Sequence, residues 1–166
     1  MQKYIFLVLL VFSIFSCAGK KEVSKSSSKS SSSKNVSASS TALKAVKVAQ
    51  SYKGTKYKYG GMSKKGIDCS GLMCVSYKQV GISIPRTSSA QSQFGTRKYI
   101  GELAPGDLVF FGAKPKSKKV THVGMVSRVS KDGVYFIHAS SSRGVVEDKL
   151  QSDYYRQRYI SARRIK

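Results

Sequence analysis

Apolar positions follow three different patterns along this chain. Residues 5–15 are apolar at every position except Ser13, whereas residues 20–40 hold almost no large apolar side chain apart from Val23 and Val36. From residue 41 onward the apolar positions recur with a period, and the period changes partway. Thr41 is placed to cap a helix running to about Gln50, with Leu43, Val46, Val48 and Ala49 directed inward and Gly54 ending the segment. Tyr57-Lys58-Tyr59-Gly60-Gly61 reads as a turn. Leu72, Met73, Ser76, Tyr77 and Val80 recur at helical spacing between Asp68-Cys69-Ser70-Gly71 and Gly81, which predicts a second helix. The stretch 84–88 leads into a short third helix across 90–94. Beyond Pro105-Gly106-Asp107 the texture is that of strands, over 108–111, 120–129 and 134–139, with a final strand or short helix over 154–165. Helices followed by an antiparallel run of strands predict an α+β fold, with the N-terminal helices packed on an antiparallel sheet.

The first two patterns divide the chain. A short apolar core behind Lys3 has the form of an export signal, and it is too short for a stable membrane span. Its end, Ile14-Phe15-Ser16-Cys17-Ala18-Gly19, resembles the bacterial lipoprotein box, in which the cysteine takes the lipid. On that reading 1–16 is removed, Cys17 carries acyl chains, and each buried methylene contributes about 0.8 kcal/mol to anchoring. An ordinary signal-peptidase site nearby, with Cys17 lost or free, is the alternative. Residues 20–40, with eleven Ser and five Lys, bury too little apolar surface to offset the entropy of ordering. On the lipoprotein reading, residues 17–40 are a lipidated cysteine and flexible tether, and 41–166 are the folded domain.

Charge then narrows the partners. The chain carries 30 Lys plus Arg against 8 Asp plus Glu, a net +22, of which +17 belongs to residues 41–166. Such a balance asks for an acidic partner: nucleic acid, anionic lipid or a carboxylate-rich polymer. Export removes nucleic acid. Three Cys and two His with no CxxC or HExxH spacing predict no metal site.

Those few residues carry the chemistry. Cys69 falls at a predicted helix start, where free backbone N–H groups and the helix dipole favour a thiolate and can stabilise an oxyanion. Cys74, in mid-helix, has no partner pattern and reads as a buried apolar residue. His122 and His138 flank a hairpin signal at Lys131-Asp132-Gly133, and their separation of 16 is even. A hairpin with an odd loop, or a two-residue turn plus one bulge, puts both rings on one face. His122 is then the general base for Cys69, and His138 holds the imidazole in its working tautomer.

Six stretches in order, Tyr57 to Gly61, Asp68-Cys69-Ser70-Gly71, Pro85-Arg86-Thr87-Ser88 with Gln91, Leu103 to Phe111, His122-Val123-Gly124-Met125 and His138-Ala139-Ser140, together resemble the NlpC/p60 family of cell-wall cysteine peptidases. The resemblance covers nearly all of 41–166 and is nearest to the family's small murein endopeptidase lipoproteins. It implies a papain-like core with catalytic Cys69, His122 and His138. Tyr57 would lie beside the nucleophile, orienting substrate or stabilising the oxyanion. It also implies hydrolysis of peptidoglycan stem peptides or cross-links through a thioester, without cofactor or metal. Around these, Asp68 either caps the helix or binds a substrate amine, with capping favoured. Ser70 contributes its backbone near the cleft, and Arg86 pairs with a stem-peptide carboxylate or with a structural acid. The expected protein is a monomer, exported and anchored through Cys17 to a membrane facing the wall, periplasm or outer membrane. Its bond is the D-Ala–diaminopimelate cross-link or the γ-D-Glu–diaminopimelate bond. A non-catalytic wall-binding or adaptor lipoprotein, or an acyl- or amide-transfer enzyme on the same fold, are the alternatives.

Overall fold

The computed structural model describes residues 38–166, so the signal-like run, Cys17 and most of the Ser/Lys-rich stretch lie outside the described residues. Helix α1 spans Ser40–Gln50 and is capped by Ser39, whose hydroxyl accepts the Ala42 N–H at 3.1 Å, rather than by Thr41. It buries Ala45, Val46 and Ala49. Leu43 falls past the edge of that stripe and is 44% exposed, contrary to the inward position expected for it. A hairpin of two-residue strands, β1 (Met62–Ser63) and β2 (Gly66–Ile67), then delivers the chain to helix α2 (Cys69–Lys78). Asp68 is the N-cap of α2, and Gly81 follows its end with φ of 85°. Helix α3 (Ser88–Gln91) starts earlier than the spacing predicted, because the Thr87 hydroxyl accepts the Ala90 N–H and fixes the start there.

The sheet has six strands: β3 (Thr96–Lys98), β4 (Leu108–Gly112), β5 (Val120–Ser130), β6 (Gly133–Ser140), β7 (Gly144–Lys149) and β8 (Tyr159–Arg164). Their order is β3-β8-β4-β5-β6-β7, with every pairing antiparallel. The C-terminal segment, expected as a strand or a short helix, is both: α4 (Asp153–Arg158) runs directly into β8. One face of the sheet packs Leu108, Phe110, Val123, Met125 and Ile137 against α1 and α2. The opposite face gathers Val109, Phe111, Val126, Phe136 and Leu150 with Tyr155 of α4. All five β4 residues are buried, which is why that strand reads as an unbroken apolar run and not an alternating one.

The β5–β6 hairpin sets the histidine geometry. Ser130 pairs with Gly133 across a two-residue turn, and the register shifts between Val126 and Arg128. This is the turn-plus-bulge arrangement that puts His122 and His138 on one face. Carrying the Met125–Ile137 pairing forward sets His138 opposite Gly124, diagonal to His122. A Cβ at Gly124 would stand 2.4 Å from the Phe136 ring, and that ring stacks on His138 at 5.0 Å. The glycine of His122-Val123-Gly124-Met125 therefore makes room for the surface on which His138 rests.

Candidate active site

Two adjoining cavities share Tyr57, Cys69 and Thr121 in their walls. One, of about 350 Å³, also holds His122 and His138. The other, of about 490 Å³, holds Asp68, Ser70 and Arg86. A separate cavity of about 390 Å³, between the start of α1 and the chain's C-terminus, is lined by Tyr77, Asp107 and Arg164 and holds no cysteine or histidine. The reactive residues singled out from the sequence, Cys17 aside, thus meet at one cleft.

Asp68 builds the wall on the α2 side. Its Oδ1 accepts the Gly71 N–H at 2.6 Å, and its Oδ2 accepts the Gly60 N–H at 2.8 Å. Arg86 closes on both oxygens, Nη1 to Oδ1 at 3.0 Å and Nη2 to Oδ2 at 2.6 Å, and Nη1 also donates to the Ser70 hydroxyl at 2.9 Å. Burial works against the carboxylate, but Arg86 and the two amides outweigh it and hold Asp68 below its usual range. Asp68 thus caps α2 and pairs with Arg86, and both side chains line the cleft. Gly71 has no room for a side chain, since a Cβ would lie 2.3 Å from the Gly61 carbonyl oxygen. That contact seats the Tyr57–Gly61 turn directly on the start of α2.

At this start sits Cys69, 8% exposed. The backbone N–H groups of Val123, Ser70 and Cys69 itself favour its thiolate, but burial dominates, the Asp68 charge adds to it, and the thiol pKa is pushed up. The thiolate expected from helix position alone is thus overruled by desolvation. The helix-start amides of Cys69 and Ser70 have no carbonyl acceptor within the helix and lie against the Cys69 sulfur, the position from which such amides can meet an oxyanion. Tyr57, bridged to Ile67 by backbone pairing, lies beside the thiol; burial and then Cys69 push its phenol pKa up, so it stays a hydrogen-bond donor.

On the sheet side, His122 Nε2 lies 2.9 Å from His138 Nδ1, and His138 Nε2 lies 2.9 Å from Asp148 Oδ2. Asp148 was missed by sequence reasoning, as were its other partners. Arg143 donates to it in a fork, one arm at 3.2 Å, and the Tyr155 hydroxyl donates to Oδ2 at 2.9 Å. Burial opposes its charge, yet Arg143, His138 and Tyr155 together hold its pKa at about 2. An ionised carboxylate only accepts, so His138 donates from Nε2 and accepts at Nδ1. His122 must then donate from Nε2, which leaves its Nδ1 lone pair as the free base. Burial, then the neighbouring His138, holds His122 well below the usual imidazole range; burial also lowers His138, 1% exposed, against the pull of Asp148. The resting state is a neutral thiol beside neutral imidazoles. Such a set can abstract a thiol proton, attack a carbonyl and return the proton to a leaving amine.

Cys74 is buried in α2, with its sulfur 3.3 Å from the Pro85 carbonyl oxygen, and Cys69 and Cys74 are both free thiols. Among the described residues, no group of three or more His, Cys, Asp or Glu is placed to hold a metal ion. No described helix is long and apolar enough to cross a membrane.

Residues 54–164 match the NlpC/P60 family. The chain is 39% identical over 117 residues to the probable endopeptidase NlpC of Escherichia coli K12, covering 70% of this chain and 73% of that one. It is 36% identical over 115 residues to the murein DD-endopeptidase and murein LD-carboxypeptidase MepS of the same organism, covering 69% and 57%. Among solved structures, an NlpC/P60 family protein from Bacillus cereus superimposes with a TM-score of 0.67 at 33% identity, over 74% of this chain and 39% of that one. The chain thus spans little more than half of MepS and about two fifths of the Bacillus protein.

Proposed function

Because this chain belongs to the NlpC/P60 family, we propose that it is a cysteine-type endopeptidase that hydrolyses peptide bonds of peptidoglycan. The observation that carries this reading is the row from Asp148 through His138 to His122, at two steps of 2.9 Å, ending in the cavity that Cys69 lines. The relatives named as an endopeptidase and a murein DD-endopeptidase support the substrate class.

In the proposed reaction His122 Nδ1 takes the Cys69 proton as Sγ attacks the scissile carbonyl carbon. The resulting oxyanion is met by the Cys69 and Ser70 amides and the Tyr57 hydroxyl. The His122 proton then passes to the leaving nitrogen as the C–N bond breaks, and a thioester remains. Water, deprotonated by His122, attacks that thioester, and the thiolate leaves and recovers its proton. His138 keeps His122 in the required tautomer throughout.

The same reading places the protein outside the cytoplasm, since its substrate is the wall. We propose that Cys17 is lipidated after removal of 1–16, and that 17–40 tethers the 41–166 domain to a membrane facing peptidoglycan. The +17 charge of that domain suits an anionic wall polymer.

The test is release of soluble fragments from insoluble peptidoglycan by the full chain. Cys69→Ala and His122→Ala should each reduce release by about 10²–10⁴-fold with folding retained, and His138→Gln by less, because an orienting acceptor is partly replaceable. Undiminished release by Cys69→Ala would sink the mechanism.

A further inference from the structure

Arg158, the last residue of α4, forms part of the wall of the cavity that contains Cys69, His122 and His138. With both histidines neutral, it is the one charged side chain in that wall, and no acidic residue lines the cavity to balance it. The acids closest to it in the sequence are engaged by other arginines: Asp153 by Arg156 at 2.8 Å, and Asp148 by Arg143. The guanidinium lies over the Tyr154 ring with its centre 3.8 Å from the ring centroid, and Nη1 donates to the Tyr154 carbonyl at 3.0 Å. Nε is buried and donates to nothing. Stacking on an aromatic face and one hydrogen bond hold the plane of the group, and Nη2 has no acceptor among the described residues, which leaves its N–H for an incoming carboxylate.

We propose that Arg158 forms a carboxylate subsite of this cleft, selecting peptides that carry a free carboxylate close to the scissile bond. Ser140 and Ser141, in the same wall, offer hydroxyls to such a group. Stem peptides of peptidoglycan are rich in carboxylates, and converting one of them to a carboxamide removes the charge while preserving the shape. The subsite therefore makes the protein a discriminator between acid and amide forms of one peptide. This rests on the cleft being the peptide-binding site proposed above, but binding and cleavage can be read separately.

The experiment measures binding to the full chain in a Cys69→Ala background by calorimetry. The probes are a free stem tetrapeptide and its counterparts with each carboxylate replaced in turn by carboxamide. One of these replacements should weaken binding about tenfold, the scale of a lost charge-assisted hydrogen bond. Adding Arg158→Met should shrink that difference to less than twofold, and Arg158→Lys, which keeps the charge but not the stacked planar guanidinium, should leave an intermediate one. A thermal melt of each variant checks the fold, and Arg158→Lys serves should the methionine variant not fold. Equal affinity for all the peptides, no binding of any, or discrimination that survives the loss of Arg158 overturns the proposal. Failure of Cys69→Ala to abolish cleavage would instead count against the peptidase mechanism and leave the binding comparison standing.

Discussion

His138 donates through Nε2 to Asp148 at 2.9 Å, and this bond fixes the direction of every proton in the row that ends at His122. Replacing the carboxylate by a carboxamide of the same shape leaves a group that can donate as well as accept. Asp148→Asn therefore lets His138 turn over its tautomer, and His122 then spends part of its time with Nδ1 protonated and unable to act as a base. The expected result is a kcat about ten- to a hundredfold lower, less than the loss when a carboxylate in direct contact with the catalytic histidine is changed, with KM little altered. Nitrogen NMR of the two imidazoles provides a second readout, since the tautomer itself should change. An unchanged tautomer together with unchanged kcat would remove Asp148 from the mechanism.

The pH dependence follows from a resting state of neutral thiol and neutral imidazole. Burial raises Cys69 above the ordinary thiol value of 9.0 and lowers His122 below the ordinary imidazole value of 6.5. Protonating His122 removes the base, so the acid limb of kcat/KM should lie below pH 6.5. Ionising Cys69 removes the proton destined for the leaving amine, so the alkaline limb should lie above pH 9. The plateau between them is broader than ordinary pKa values would give. Thiolate absorbance in the ultraviolet, compared between the native protein and Cys69→Ala, should titrate on the alkaline side alone. A thiolate signal already present at neutral pH would show an ion-paired resting state and refute the assignment.

How much of this was legible in the sequence varied with the length scale of the interaction. Helix α2 declares itself, because Asp68, an apolar stripe and Gly81 agree on its start, its face and its end. The parity of His122 and His138 was also accessible, since a two-residue turn and one bulge are the minimal way to bring residues 16 apart to one face. Strand β7 was not, because Glu147, Asp148 and Lys149 replace the apolar alternation of a strand with charge, and it is held by its β6 ladder. Asp148 was missed for the same reason: in sequence it is one acid in a charged run, and only the β6–β7 pairing brings it to His138. The thiol pKa failed differently. A helix start is visible in sequence, but the burial that outweighs its field is a property of the whole packed cleft.

The pairing of Asp68 with Arg86 should be a stability determinant more than a source of turnover, and the two partners should not be equivalent. Asp68 is almost enclosed, with 8% of its side chain exposed, whereas Arg86 retains 38%. Asp68 also caps α2 through Gly71 and holds the turn through Gly60, so Asp68→Ala removes a cap and strands both amides as well as the guanidinium. Losing the cap alone costs about 1 kcal/mol, and leaving a partly buried charge unpaired brings the expected total to about 3 kcal/mol. Arg86→Met deletes the exposed partner and leaves Asp68 with both of its backbone donors, so about 1–2 kcal/mol is expected. Urea denaturation of the two single variants and the double variant measures the coupling directly, and the double should be less destabilised than the sum of the singles. Because Asp68 titrates below its usual value, the contribution of the pair is present above the unfolded carboxyl value of 3.8 and is lost as pH falls through the lower folded value. Repeating the denaturation at pH 5 and near pH 2 should therefore narrow the gap between wild type and Asp68→Ala, and a gap independent of pH would show that the charge of Asp68 is not what holds the turn to the helix.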